Sequence, residues 1–288
     1  MRKYRGLSRR RRAWQWGAAL LLWGSALLTC LLLLALVGYI LWRGVPGVSW
    51  AFLSTADSVL QGTQGILPSL RNTLYVILAS LAVVLPLGVG AAVYLTEYAR
   101  NRSLVAVIEF AAETLAGIPS ILYALVGAIL FCQTLGLGKT LVAGSLTLVI
   151  MTLPTILRTT QESLKTVPQS YREGALGLGS GKWHMLRTVV LPASADGILT
   201  GCILAVGRIV GESAVLIYTA GMSTMMQDFS TVENLMRSSG ATLTVALYVY
   251  AKERADFQAA FAVATVLLAL TALLNLAVGL IGRGKGRR

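Results

Sequence analysis

Six apolar stretches, at about 17–41, 73–95, 104–135, 140–157, 197–219 and 259–281, constrain this chain more than any motif in it. A hydrocarbon core roughly 30 Å thick is crossed by about 20 apolar residues in a helix, and each stretch is near that length or above it. Inside lipid every backbone polar group must be paired within the protein, which leaves helices and closed barrels. Long continuous apolar runs point to helices. The expected fold is therefore all-α and integral to the membrane, with about six transmembrane helices. Composition agrees: 56% of the 288 residues are hydrophobic and 13% charged, whereas a soluble domain carries about 25% charge. Seven bases between Arg2 and Arg12 precede the first stretch. A secretory signal would have a shorter apolar core and a small-residue cleavage site, so 1–41 reads as an uncleaved first helix.

A net charge of +13 raises the question of nucleic acid, but the bases flank apolar segments instead of forming a stripe. With the N-terminus inside, seven precede the first helix, two lie between the second and third, five between the fourth and fifth, and four in the tail. Six fall on the opposite side: Arg43, Arg71, Lys139, Arg237, Lys252 and Arg254. Arg208 alone lies within a helix. That bias sets both ends in the cytoplasm, and makes membrane lipid, not nucleic acid, the partner of the bases. Cys30, Cys132 and Cys202 sit in apolar runs without paired spacing, so neither a disulfide nor a metal site is expected, and no cofactor.

Pro86 and Pro119 fall inside apolar stretches, where neighbouring helices can satisfy the freed backbone groups. Gly117-Ile118-Pro119-Ser120 is expected to break or kink the third. Three connections exceed simple turns: 43–72 and 220–258 outside, and 158–196 inside. The 220–258 segment mixes Met222, Met225, Met226, Phe229 and Leu235 with Asp228, Glu233 and Arg237, which suits an interfacial or re-entrant helix. Its 243–250 run has strand-like composition, yet an open sheet edge near lipid is costly, and no strand is assigned.

The inner connection is the informative one. Thr159…Glu162 and Ser170…Glu173 are capping-box patterns, with Pro168 between them. They predict short helices, one starting near Ser170. Gly174, Ala175, Gly177, Gly179 and Gly181 then leave little side-chain bulk, which would let another backbone approach closely. A second short helix is expected over 183–190, ended by Pro192. An ordered helix of small residues between membrane helices has the character of a docking piece. Glu173 could equally be a capping carboxylate, and the two roles are compatible.

These residues carry a resemblance. Glu173-Gly174-Ala175, then Gly179, then nine residues and Val189-Val190-Leu191-Pro192, resembles the EAA loop of bacterial ABC-importer permeases, with Gly174 in place of the usual alanine. Gly117-Ile-Pro-Ser-Ile-Leu-Tyr123, Leu157-Arg-Thr-Thr160, Val167-Pro-Gln-Ser-Tyr-Arg-Glu173 and Gly207-Arg-Ile-Val-Gly-Glu-Ser213 together are similar to phosphate-importer permeases of the PstA type. The resemblance implies a type I ABC importer (MetI-like) permease fold at 69–282, with a coupling loop at about 159–192. Residues 1–68 precede it and a basic tail, 283–288, follows. It also implies a bacterial inner-membrane subunit importing inorganic phosphate by alternating access. Its partners would be a PstC-type permease, two PstB-type ATPases and a PstS-type periplasmic phosphate-binding protein. Glu173, Gly174, Ala175, Gly179, Leu191 and Pro192 would form the ATPase-coupling loop. The chain has no G-x-x-x-x-G-K-[ST] phosphate loop, so it does not supply the ATPase.

Charges inside membrane helices are expensive and mark function. Arg208 and Glu212, four apart, would face each other along one helix. They make either a self-neutralising structural pair or a pathway arginine held by its glutamate. The planar fork of arginine suits an oxyanion. Glu109 and Glu113 near the third stretch either line the pathway or meet a partner permease, or lie at the cytoplasmic interface. Arg158, at the end of the fourth, is a further pathway candidate or an interfacial anchor. Asp196 is expected to cap the helix at Gly197, and His184 carries no assigned chemistry. A membrane enzyme would need a nucleophile with a base or clustered ligands, which a single histidine and scattered acids do not provide. Within transport, the alternatives are the PstC-type partner and a permease for molybdate or sulfate.

Overall fold

The computed structural model describes residues 9–58, 63–227 and 231–285. The N-terminal bases up to Ser8, the end of the tail, and Asp228 and Phe229 lie outside the described residues. Helix α1 (Arg9–Gly44) leads through a turn (Val45–Gly47) and the short α2 (Trp50–Ser54) to strands β1 (Ala56–Ser58) and β2 (Thr63–Ile66). Helix α3 (Leu67–Val93) ends in a wide π-type turn (Tyr94–Tyr98) and is followed by α4 (Arg102–Ala116). Then come α5 (Ser120–Gly127), extended by wide turns to Thr134, and α6 (Leu141–Thr166). The inner connection holds α7 (Gln169–Gly177), α8 (Lys182–Met185), a wide turn (Leu186–Val190) and α9 (Leu191–Ala193). The remaining helices are α10 (Ala195–Gly211), α11 (Ala214–Thr219), α12 (Val232–Arg237), α13 (Leu243–Tyr248) and α14 (Phe257–Lys285).

Four helical segments are long and apolar enough to cross a membrane alone: Trp14–Gly47, Leu67–Tyr98, Leu141–Thr166 and Phe257–Leu280. Two more crossings are bent pairs. Arg102–Ala116 and Ser120–Thr134 meet at 101°, and Lys182–Ala193 and Ala195–Gly211 at 66°. Counting each pair as one span gives the expected six. The sharper bend falls at Gly117-Ile118-Pro119, where proline excludes the helical conformation from the residue before it.

The structure corrects several local expectations. Helix α6 does not stop near Leu157 but runs on to Thr166. Its last turns bury Thr160, Gln161, Ser163 and Leu164, and that packing carries the helix past the end of the apolar run. The Thr159 hydroxyl therefore bonds the Thr155 carbonyl one turn back (2.8 Å) instead of capping a new helix. Ser170 sits inside α7, whose first residue follows Pro168, and no side chain caps that end. The helical path after Lys182 continues through Pro192 to Ala193. Asp196 lies in the first turn of α10 instead of capping it. The stretch at 197–219 is interrupted: α10 ends at Gly211 and Glu212 is extended (φ −80°, ψ 120°). The 243–250 run is helical, with Leu243, Val245 and Ala246 buried, so tertiary burial overrides its strand-like composition. One antiparallel hairpin, pairing Ala56 with Ile66 and Ser58 with Thr63, is the only sheet among the described residues.

Helices α3, α6, α10 and α11 enclose the main core, built from Val76, Ile77, Leu148, Met151, Val206, Ile209 and Leu216 among others. Between membrane helices lipid gives no apolar driving force, so close approach and hydrogen bonds hold them together. The α6–α10 seam shows this. A Cβ at Gly197 would overlap the Ser163 side chain, and one at Gly201 would overlap Thr159 Oγ1. Ser163 Oγ also donates to the Ser194 carbonyl (2.7 Å). Helix α1 packs against α14 through its last turns only, where Tyr39 meets Phe261 edge-on at 5.6 Å.

The helix ends sort into two groups. At one end, the start of α6 hydrogen-bonds the Ser238 carbonyl (2.8 Å) and Asn72 of α3 donates to the Ala241 carbonyl (3.1 Å). Arg254 pairs there with buried Asp57 (2.6 Å), which also accepts from Thr224 (3.2 Å). Burial, with Asp57 adding to it, pushes the Tyr250 phenol beneath Arg254 up to about 12. At the other end, the last residues of α3 and α6 meet α7 and α8.

Candidate functional site

The second group of helix ends forms an ordered docking surface. Ala92, Leu164, Val167, Met185, Leu186 and Val190 make a small core there, with Ala175 and Leu191 packed against it. Helix α7 thus lies on the ends of α3 and α6 and turns Glu173, Gly174 and Gly179 outward, where all three are exposed. Pro192 is exposed as well. Among the described residues, and apart from the chain neighbours and the helix's own backbone, nothing lies within 4 Å of a Cβ built at Gly174, Gly177, Gly179 or Gly181, so the surface is open. The expected close approach therefore involves no other part of the described chain.

Gly179 has a different task. Its φ is +81°; its N–H bonds the Leu176 carbonyl (3.0 Å) and the Ser180 N–H bonds the Ala175 carbonyl (3.1 Å). That pair of bonds is the Schellman motif, which needs a left-handed residue at this position. Gly179→Ala is expected to destabilise the end of α7 by about 1–2 kcal/mol, the cost of that conformation for a residue with a Cβ. Gly174→Ala, mid-helix in open space, should be neutral or stabilising by about 0.5–1 kcal/mol. Amide exchange of residues 174–180 would separate the two: faster in the first variant and unchanged or slower in the second.

Arg172 was not among the expected site residues. Its side chain is 13% exposed and that of Glu97 7%. Arg172 donates to Glu97 Oε1 through Nε (3.1 Å) and Nη2 (2.8 Å). It also donates to the carbonyls of Val167 (2.6 Å) and Leu164 (2.8 Å). Val167 caps α6, and its N–H already bonds the Leu164 carbonyl (3.3 Å), so the guanidinium adds donors at the end of the helix as well as balancing the glutamate.

Between α4 and α6 lies a cleft of about 180 Å³ lined by Glu109, Glu113, Arg158, Gln161, Glu162 and Lys165. Arg158 pairs with Glu113 (3.0 Å) and with Glu162 (3.4 Å). Lys165 pairs with Glu109 (3.1 Å), which also accepts from Gln161 (3.1 Å). Glu109 and Glu113 thus meet α6 of their own chain. Arg158 is the hub of the cleft and not the end of its helix.

Arg208 and Glu212 do not pair, because the helix that would have aligned them stops between the two. Glu212 turns away: its carboxylate accepts from the Val215 N–H (3.2 Å) and its carbonyl from Thr244 Oγ1 (3.0 Å), fixing the start of α11. Half-buried Arg208 reaches Thr155 Oγ1 across the α6–α10 seam (3.4 Å). Thr155 and Arg158 are three apart on α6 and so share a face, with Lys165 about two turns further on. Arg158 and Lys165 thus follow Thr155 along α6 over about 15 Å, and Arg208 of α10 reaches the Thr155 end of that stretch.

The chain matches the family described as the binding-protein-dependent transport system inner membrane component over residues 84–287. It is 36% identical to the probable ABC transporter permease protein YqgI of Bacillus subtilis, over 69% of this chain and 68% of that protein. It is 33% identical to the phosphate transport system permease protein PstA 1 of Mycobacterium tuberculosis, over 75% of this chain and 70% of that one. Among solved structures, a bacterial ABC transporter that imports the acidic polysaccharide alginate has a chain covering 94% of this one, at a TM-score of 0.63 and 14% identity. At that identity the likeness is one of fold.

Proposed function

The chain belongs to the family of binding-protein-dependent transport system inner membrane components, the permeases of ABC importers, and from that premise we propose that it imports inorganic phosphate. The cations Arg158 and Lys165 of α6, with Arg208 reaching the Thr155 end of the same stretch, carry the reading. Arginine presents paired donors to tetrahedral oxyanions, and the carboxylates of Glu113, Glu162 and Glu109 along that stretch keep an anion from being held too tightly. Glu212 acts on the pathway indirectly, by fixing the α10–α11 junction above Arg208. The relatives named for phosphate transport support the substrate. The partners are a PstC-type permease, a pair of PstB-type ATPases and a PstS-type phosphate-binding protein. Helix α7, with Glu173, Gly174, Ala175 and Gly179, forms the ATPase contact, and Leu191 and Pro192 shape the return into α10.

The four-part complex in proteoliposomes containing ATP should accumulate labelled phosphate, with unlabelled sulfate or molybdate competing poorly. Uptake of sulfate or molybdate without phosphate would reassign the substrate. An ATPase site supplied by no partner, or a requirement for two copies of this chain, would overturn the proposed assembly.

Orientation follows from the same reading: both termini and α7 face the cytoplasm, while the 220–258 connection faces outward. In a background lacking Cys30, Cys132 and Cys202, a cysteine at exposed Met225 should react in intact cells with an impermeant maleimide. A cysteine at Leu178, 91% exposed, should react only after permeabilisation. The opposite pattern inverts the topology.

A further inference from the structure

The ionic contacts gathered around the inner end of α6 differ in kind, and the difference divides the permease into parts that move together and parts that separate. Arg172 and Glu97 are nearly closed off from solvent, and the guanidinium spans three elements: α7, the wide turn ending α3, and the last carbonyls of α6. Removing one partner of such a pair strands a buried charge. The α4–α6 contacts are built the other way. Arg158, Glu113 and Lys165 each keep more than half of their side chain in solvent, and Glu109 keeps 38%. Such pairs form and break with little change in free energy. Helix α4 buries no residue of its own and joins α5 through a 101° bend, so it has a hinge and no core to hold it.

We propose that Arg172 is a positioning residue that pins the coupling helix to α3 and α6, so that these three move as one body while α4 slides against α6. Force on α7 then reaches Arg158 and Lys165 through α6 and opens or closes the cleft at α4. The proposal rests on the permease reading, but not on phosphate.

Spin-label distances in the complete transporter test it, in a background lacking the three native cysteines. One pair sits at exposed Arg100 and Ser170, each close in sequence to one partner of the pin; the other at exposed Val107 on α4 and exposed Thr166 at the end of α6. Between the nucleotide-free and ATP–vanadate-trapped states the first distance should shift by less than about 2 Å and the second by about 5 Å, the scale of a helix moving one turn. Equal shifts, or a larger shift at the pin, overturn the proposal. In Arg172→Met the Arg100–Ser170 distribution should broaden, and ATP should be hydrolysed with uptake reduced at least severalfold. If that variant fails to assemble, the distances in the otherwise native chain still decide. Exchanging the charges, Glu97→Arg with Arg172→Glu, sets a carboxylate against the Leu164 and Val167 carbonyls and should remain uncoupled. Full recovery of coupling would reduce the pin to a simple ion pair. A transporter that moves as described yet takes up no phosphate leaves the pin standing and removes only the substrate.

Discussion

Arg208→Gln is expected to leave the transporter assembled and to cut phosphate uptake by about 10- to 100-fold. Hydrogen bonds to charged groups contribute about 1.5–3 kcal/mol, and each 1.4 kcal/mol is a factor of ten. Assembly should survive because Arg208 is not the counter-charge of Glu212, which instead bonds the start of α11. Its loss therefore strands no buried carboxylate. Arg208→Lys keeps the charge but not the forked donors, and should also transport poorly. The double variant Arg208→Gln with Glu212→Gln should behave like the single one. Uptake is read against the amount of complex recovered from the membrane. If the single variant fails to assemble and the double one restores both assembly and transport, the two residues are a structural pair after all.

Gly201→Leu should remove most of the assembled protein. A Cβ there already overlaps Thr159 Oγ1, and the remaining side-chain atoms would force α10 away from α6. Overpacking of this sort costs about 1–3 kcal/mol, at times more, and here it also parts Arg208 from Thr155 along the same seam. Gly207→Leu is the control, since a Cβ at Gly207 meets nothing within 4 Å. Thermal stability of the two variants in detergent should differ clearly. Equal stability would show that the seam has room to spare.

The membrane segments were legible because the hydrocarbon interior imposes length and apolarity together, and six segments of that kind leave few alternatives. Their ends were less so. Helix α6 passes Leu157 because its next turns are polar yet packed, and a count of apolar residues cannot distinguish a polar residue facing a neighbouring helix from one facing water. The i,i+4 reading of Arg208 and Glu212 assumed an unbroken helix; neither Gly211 nor Ser213 alone announces the break. Gly179 was found through its motif, though its local necessity is backbone conformation and not clearance. Glu97 left no trace. It lies 75 residues from Arg172, in a connection where any carboxylate would be taken for a solvated one.

The seating of α1 on α14 bears on how this protein is made. The Thr265 hydroxyl bonds the Ile40 carbonyl across 225 positions of chain (3.4 Å), so the end of α1 is completed by a helix synthesised long after it. Contacts of such separation form late, and synthesis proceeds at roughly 5–20 residues per second. At that rate α14 follows the end of α1 by about ten seconds or more. A chain cut short before Phe257 should therefore leave the last turns of α1, around Tyr39 and Ile40, without the helix that seats them.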